Sequence, residues 1–212
     1  MKRVPSTRAA RSAHLLAACG GGEARGPSGV APSTSFQRIQ FPPGVALWLP
    51  AGTSLDVNSH YVNSHYVNSS RQDSVGQAEV NLYTVPKAEV RALASSLHLS
   101  NRDLPLPAGR DTTLTKTFRF TQLARVVALT SHMHRRGAAC VIRSAGGPRD
   151  GEVVYTNTSW DHPPFITFAD PIVLQPDEGL TSVVTYHGDP AMVVRFGLTS
   201  EDEMDIIFGY WY

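Results

Sequence analysis

The chain has 212 residues, of which 17% are charged, and a formal net charge of +1 at pH 7. That balance, with no basic stripe beyond the first residues, argues against nucleic acid as a partner. Its 42% hydrophobic content suffices for a packed core, yet no apolar run approaches the length of a membrane-spanning helix.

Residues 1–35 start basic, with Lys2, Arg3, Arg8 and Arg11, and run into LLAAC and GGG. The segment looks like a bacterial lipoprotein signal in which Cys19 becomes the lipidated first residue. That implies an exported protein, periplasmic or on the outer surface, with a lipid anchor. The apolar stretch is about six residues and contains His14, against about 7–15 in a working signal, so a damaged or wrongly started N-terminus is the rival reading. The Gly-, Pro- and Ser-rich continuation to Ser35 belongs to no fold.

From Phe36 onward turn signals recur: FPPG, LPAG, LPLPAG, SAGGPRDG, HPP, QPDEG and YHGDP. Between them lie short β-rich runs: VALWL, AEVNLYTV, TLTKTFRF, ARVVALT, EVVYT, FITF, TSVVTYH, MVVRFGL and DIIFGYWY. Strands at this spacing predict an all-β fold, an antiparallel sandwich or jelly roll. PKAEVRALASSL (86–97) has a helix-favouring composition and predicts a short helix or an inter-domain crossing. Pro86, Pro105 and Pro107 mark a boundary near 86–105.

The stretch 57–69, VNSHYVNSHYVNS, repeats five letters. On a strand, side chains five apart point to opposite faces, so His60 and His65 compete for one role rather than share it. The surplus residues then loop or bulge out. The undisturbed continuation after the second copy favours His65.

SHMHRRG (131–137) follows the apolar run ARVVALT. On a strand His132 and His134 share one face, a two-pronged metal site, while Val127, Leu129 and Met133 share the other. On a helix the same spacing would set the imidazoles about 200° apart. The rival reading is a pair of surface histidines in a basic patch with Arg135 and Arg136. Met133 points away from both imidazoles. A better third donor is Met204, in GLTSEDEMDIIFGYWY (197–212). A thioether with two imidazoles suits copper, above all Cu(I). Taken alone, a methionine at a strand start reads equally as core. Cys140 reads as a small buried residue. His162 and His187 read as turn residues that cap or pack.

Taken together, HY with nearby asparagines, then HMHxxG, then WD before an aromatic strand, then G-x-T-x-x-EM, resemble the type II copper, ascorbate-dependent monooxygenases. These are the peptidylglycine α-hydroxylating and dopamine β-hydroxylating enzymes and their bacterial relatives. The resemblance covers roughly residues 41–212. It implies two jelly-roll domains, each with one copper: the end of the first at 36–85, and a complete second at 105–212. It implies an O₂-binding copper held by His132, His134 and Met204. It also implies an electron-transfer copper that takes three histidines, one from an HY pair, here His60 or His65. The other two have no counterpart, since the only earlier histidine is His14. The expected cofactor is thus one copper ion, or two if a missing N-terminal region is supplied, with ascorbate or another reductant as co-substrate.

The implied activity is O₂-dependent hydroxylation of a small organic substrate. The alternatives are a non-catalytic copper-binding protein or remnant and, more blandly, a β-sandwich interaction module without metal. Thr130 and Phe208 stand where the peptide-amidating members place a carboxylate-binding arginine and tyrosine, which argues against a peptidyl-glycine substrate. Val184 and Asp205 stand where those members place a disulfide. The acidic trio Glu201, Asp202 and Glu203 reads as a solvated turn. In family terms Glu203 orients the methionine loop.

Overall fold

The computed structural model describes residues 39–51, 81–199 and 201–212. Cys19, His60 and His65 lie outside the described residues. Nine strands follow in chain order: β1 (Val45–Leu47), β2 (Ala92–Asn101), β3 (Thr112–Arg119), β4 (Ala124–His132), β5 (Gly137–Ala145), β6 (Val153–Asn157), β7 (Ile166–Leu174), β8 (Gly179–Tyr186) and β9 (Asp205–Trp211).

Strand β8 shows how the sequence selects its faces. Leu180, Ser182, Val184 and Tyr186 alternate inward and are buried, while Thr181, Val183 and Thr185 lie between them on the other face. Two of those threonines meet threonines of β3 across the ladder, Thr185 with Thr113 at 2.9 Å and Thr181 with Thr117 at 2.8 Å. Such cross-strand pairs favour this register.

The strands form two sheets, a five-stranded one in the order β1-β2-β9-β4-β7 and a four-stranded one in the order β3-β8-β5-β6. The fold is therefore an all-β sandwich. Its antiparallel pairs are nested: β2 with β9, β3 with β8, β4 with β7, and β5 with β6. β1 adds a fifth strand, parallel to β2. The main core lies between the sheets, around Leu129, Ile142, Tyr155, Leu180, Tyr186 and Ile207. A smaller cluster of Val127, Ala128 and Tyr210 forms on the outer face of the five-stranded sheet, packed by Phe41, Leu47 and Phe165.

Several expectations are corrected. The helix-favouring stretch holds one 3-10 turn, Lys87–Glu89, and then strand β2. Alanine and leucine favour helices in isolation, but tertiary pairing overrides so weak a preference. Here β2 registers against β9 from Ser95↔Trp211 to Asn101↔Asp205, and Ala94 and Leu97 are buried. MVVRFGL is not a strand; Val194 and Phe196 make only isolated bridges, to Leu106 and Glu203. Of AEVNLYTV, residues 81–85 are irregular.

The face assignment along β4 also changes. The register of β4 against both neighbours slips between Val126 and Ala128. That bulge turns Val127 out to the smaller cluster, while Leu129 and Met133 stay in the main core.

The turn that leaves β4 needs its glycine. The Gly137 amide donates to the His134 carbonyl at 2.9 Å. A Cβ on Gly137 would lie 2.5 Å from the Met133 Cβ and 2.8 Å from its sulfur. Met133 is buried and cannot swing into solvent. Gly137→Ala is therefore expected to cost about 1–3 kcal/mol by overpacking, read as a lower urea midpoint. A variant as stable as the wild type would show that the turn relaxes freely.

Candidate metal centre

The candidate centre forms where β4 and β9 meet their loops. Across these strands Thr130 faces Phe208, Ser131 faces Ile207 and His132 faces Ile206. Ile207 belongs to the core, and Ser131 turns inward to Tyr155, whose hydroxyl oxygen accepts from the Ser131 amide at 3.1 Å. Alternation then puts Thr130, His132, Ile206 and Phe208 on the outer face.

His132 ends β4 and His134 sits in the turn beyond it, so the pair is not held on one continuous strand as the sequence suggested. The rings are nevertheless adjacent, with centroids 5.2 Å apart and planes at 87°. His134 is buried, and its Nδ1 lies 3.0 Å from the Asp202 carbonyl oxygen. A carbonyl only accepts, so the neutral ring donates from Nδ1 and leaves Nε2 as its acceptor. That is the arrangement in which a metal-ligating histidine is oriented through its other nitrogen.

Met204 is buried and its main chain is anchored on several sides. Its carbonyl accepts from the Tyr186 hydroxyl at 2.9 Å. Next to it, the buried Asp205 carboxylate accepts from Ser182 Oγ at 2.6 Å and from Asn101 Nδ2 at 3.1 Å. Burial pushes the Asp205 carboxyl above its ordinary range, against the pull of those two hydrogen bonds. Where the resemblance implies a disulfide, Asp205 thus carries a polar network linking β9 to β2 and β8, and Val184 is a fully buried core residue.

The acidic trio is not simply a solvated turn. Glu203 is 0% exposed, with its carboxylate turned inward beneath the histidine loop. Its Oε1 accepts from the Arg136 amide at 2.7 Å and its Oε2 from the His134 amide at 2.9 Å. Burial raises its carboxyl, and those two amides pull it back. Arg136, itself buried, donates to the Glu201 carbonyl at 2.7 Å and pairs with Asp189 at 2.6 Å. Arg135 pairs with Glu201 at the surface. Segments 133–137 and 201–204, some 65–69 residues apart in the chain, are therefore stapled together.

Among the described residues no three His, Cys, Asp or Glu side chains converge in a way that would hold a metal ion. The set expected from the sequence adds the thioether of Met204 to the two imidazoles, and two imidazoles with a thioether suit a soft ion such as Cu(I).

Other candidates lie elsewhere. Cys140 is buried opposite Val184, and burial pushes its thiol up to about 12, so it is an inert core residue. His162 closes a turn, its amide donating to Ser159 Oγ at 3.2 Å and its Nδ1 lying 3.2 Å from Asp161. His187 pairs with Asp111 at 3.1 Å at the surface.

His98 belongs to no motif in the sequence, yet its ring lies 4.9 Å from Phe208, and Phe208 in turn lies 6.2 Å from His132. Only a strand assignment for 92–101 would have placed it on this face. No family model and no curated protein matches this chain.

Proposed function

We propose that this chain binds copper through His132, His134 and Met204, in the manner of the O₂-binding site of the type II copper monooxygenases. One observation carries the reading: two motifs far apart in sequence, HMHRRG and SEDEM, are joined by buried contacts. They bring two adjacent imidazoles, one oriented through Nδ1, to the start of the strand that Met204 leads into. The nested pairing of β2 to β9 supports the jelly-roll form of the sandwich that this reading expects.

A copper ion bound there would supply the redox chemistry for activating O₂, with ascorbate or a similar reductant as the electron source. The chain's own residues hold the ion and orient His134. They also offer Thr130 and Phe208, neither of which carries a positive charge to hold a substrate carboxylate. The substrate class is accordingly a small organic molecule whose recognition does not depend on a carboxylate. The same reading takes Cys19 as the lipid anchor of an exported protein, and His65 or His60 as the remnant of an electron-transfer site. A second reading is a copper-binding protein without catalysis, which needs only the one ion that His132, His134 and Met204 would hold.

Titration of the purified chain with Cu(I) and Cu(II) tests both. Two equivalents with ascorbate-dependent O₂ uptake identify the enzyme. One equivalent without uptake identifies the binder. If no tight copper binds at all, both readings fail.

A further inference from the structure

A fully buried carboxylate needs a reason. Burying a charge costs several kcal/mol before its partners are counted, and an apolar residue of similar volume often serves stability as well or better. Among the described residues no arginine or lysine pairs with the Glu203 carboxylate; the guanidinium of neighbouring Arg136 is committed to Asp189 and the Glu201 carbonyl. Its partners are main-chain amides: Arg136 on Oε1, His134 on Oε2, and Met204 on the same Oε2 at 3.4 Å. Two amides of one turn, two residues apart, thus converge on one anion, as in the amide concavities that bind anions. The Glu203 main chain is fixed as well, its amide donating to the Arg195 carbonyl at 3.0 Å and its carbonyl accepting from the Gly197 amide at 3.2 Å.

We infer that Glu203 is a positioning residue that locks the His134 main chain to the Met204 main chain before any metal arrives. A single carboxylate oxygen faces the amides of both donor residues, so it sets their separation. The adjoining Asp202 carbonyl then fixes the ring of His134. The loop that carries the thioether thus also aims the imidazole. The function of this device rests on the copper reading above; its geometry does not.

The test uses the whole chain and the variants Glu203→Ala and Glu203→Gln. In metal-free protein, long-range ¹H–¹⁵N spectra report the His134 tautomer. The wild type is expected to show Nδ1–H alone. Glu203→Ala is expected to show a mixture or the Nε2–H form, because the loop no longer presents Nδ1 to Asp202. In competition with bathocuproine disulfonate, Cu(I) affinity is expected to fall about 10–100-fold in Glu203→Ala, the usual loss when an outer-shell partner goes. Glu203→Gln keeps the volume and one accepting oxygen, so it is expected to fall between. It also carries the test if the alanine variant does not fold.

Folded variants with an unmoved tautomer and unmoved Cu(I) affinity would overturn the positioning role. A wild type that takes no Cu(I), beside an alanine variant whose tautomer shifts, leaves the positioning role standing and removes the copper reading alone.

Discussion

Ile207→Ala is expected to lower the unfolding free energy by about 2–5 kcal/mol, the range for truncating a large aliphatic side chain in a packed core. Ile207 is fully buried and lies midway along β9, between Leu99 of β2 and Ser131 of β4. Both neighbours belong to strands that are themselves hydrogen-bonded in place, so the cavity has little room to collapse. Urea denaturation should show a lower midpoint at an unchanged slope, the signature of lost stability without a changed native fold. A midpoint within error of the wild type would mean that the centre of the five-stranded sheet is not where the sandwich is held.

His134→Ala is expected to weaken Cu(I) binding by more than the roughly 10–100-fold assigned to loss of an outer-shell partner, because it removes a donor outright. The fold should survive. The ring gives up one hydrogen bond, to the Asp202 carbonyl, with a net contribution of about 1 kcal/mol. The main-chain amide that binds Glu203 is untouched by the change. Competition for Cu(I) at fixed chelator, run beside a thermal melt, separates the two effects. A folded variant with wild-type affinity would take His134 out of the metal set.

Much of the sandwich was legible because period-two alternation and turn residues are local signals. ARVVALT, TSVVTYH and DIIFGYWY became β4, β8 and β9 on the strength of β-branched and aromatic side chains. β2 was not legible: its alanines, serines and leucines have no strong strand preference, and pairing with β1 and β9 holds them extended. β5 was missed for a similar reason, since GAACVIRSA opens on small residues and is held by β6 and β8.

At the candidate site, residue types and spacing pointed to His132, His134 and Met204, but not to how they are held. The sequence expected a shared strand face; the structure uses a strand end and a turn. Counting by twos along β4 failed at Val127, because a bulge leaves no mark in composition. Glu203 looked solvated because two acidic residues precede it, and its burial depends on amides that lie 67 and 69 residues away.

The position of β9 has a kinetic consequence. It is the last of the nine strands among the described residues, yet it sits in the middle of its sheet, with β2 on one side and β4 on the other. The Asn101–Asp205 contact that helps seat it closes a loop of 104 residues. Contacts so distant in sequence make β proteins slow folders, on the order of milliseconds to seconds. At a ribosome adding about 5–20 residues each second, β2 and β4 wait with bare hydrogen-bonding edges until the final strand arrives. The cradle for His134 is completed only at that moment, so a nascent chain meets its risk of aggregation before it can offer an assembled site to any ion.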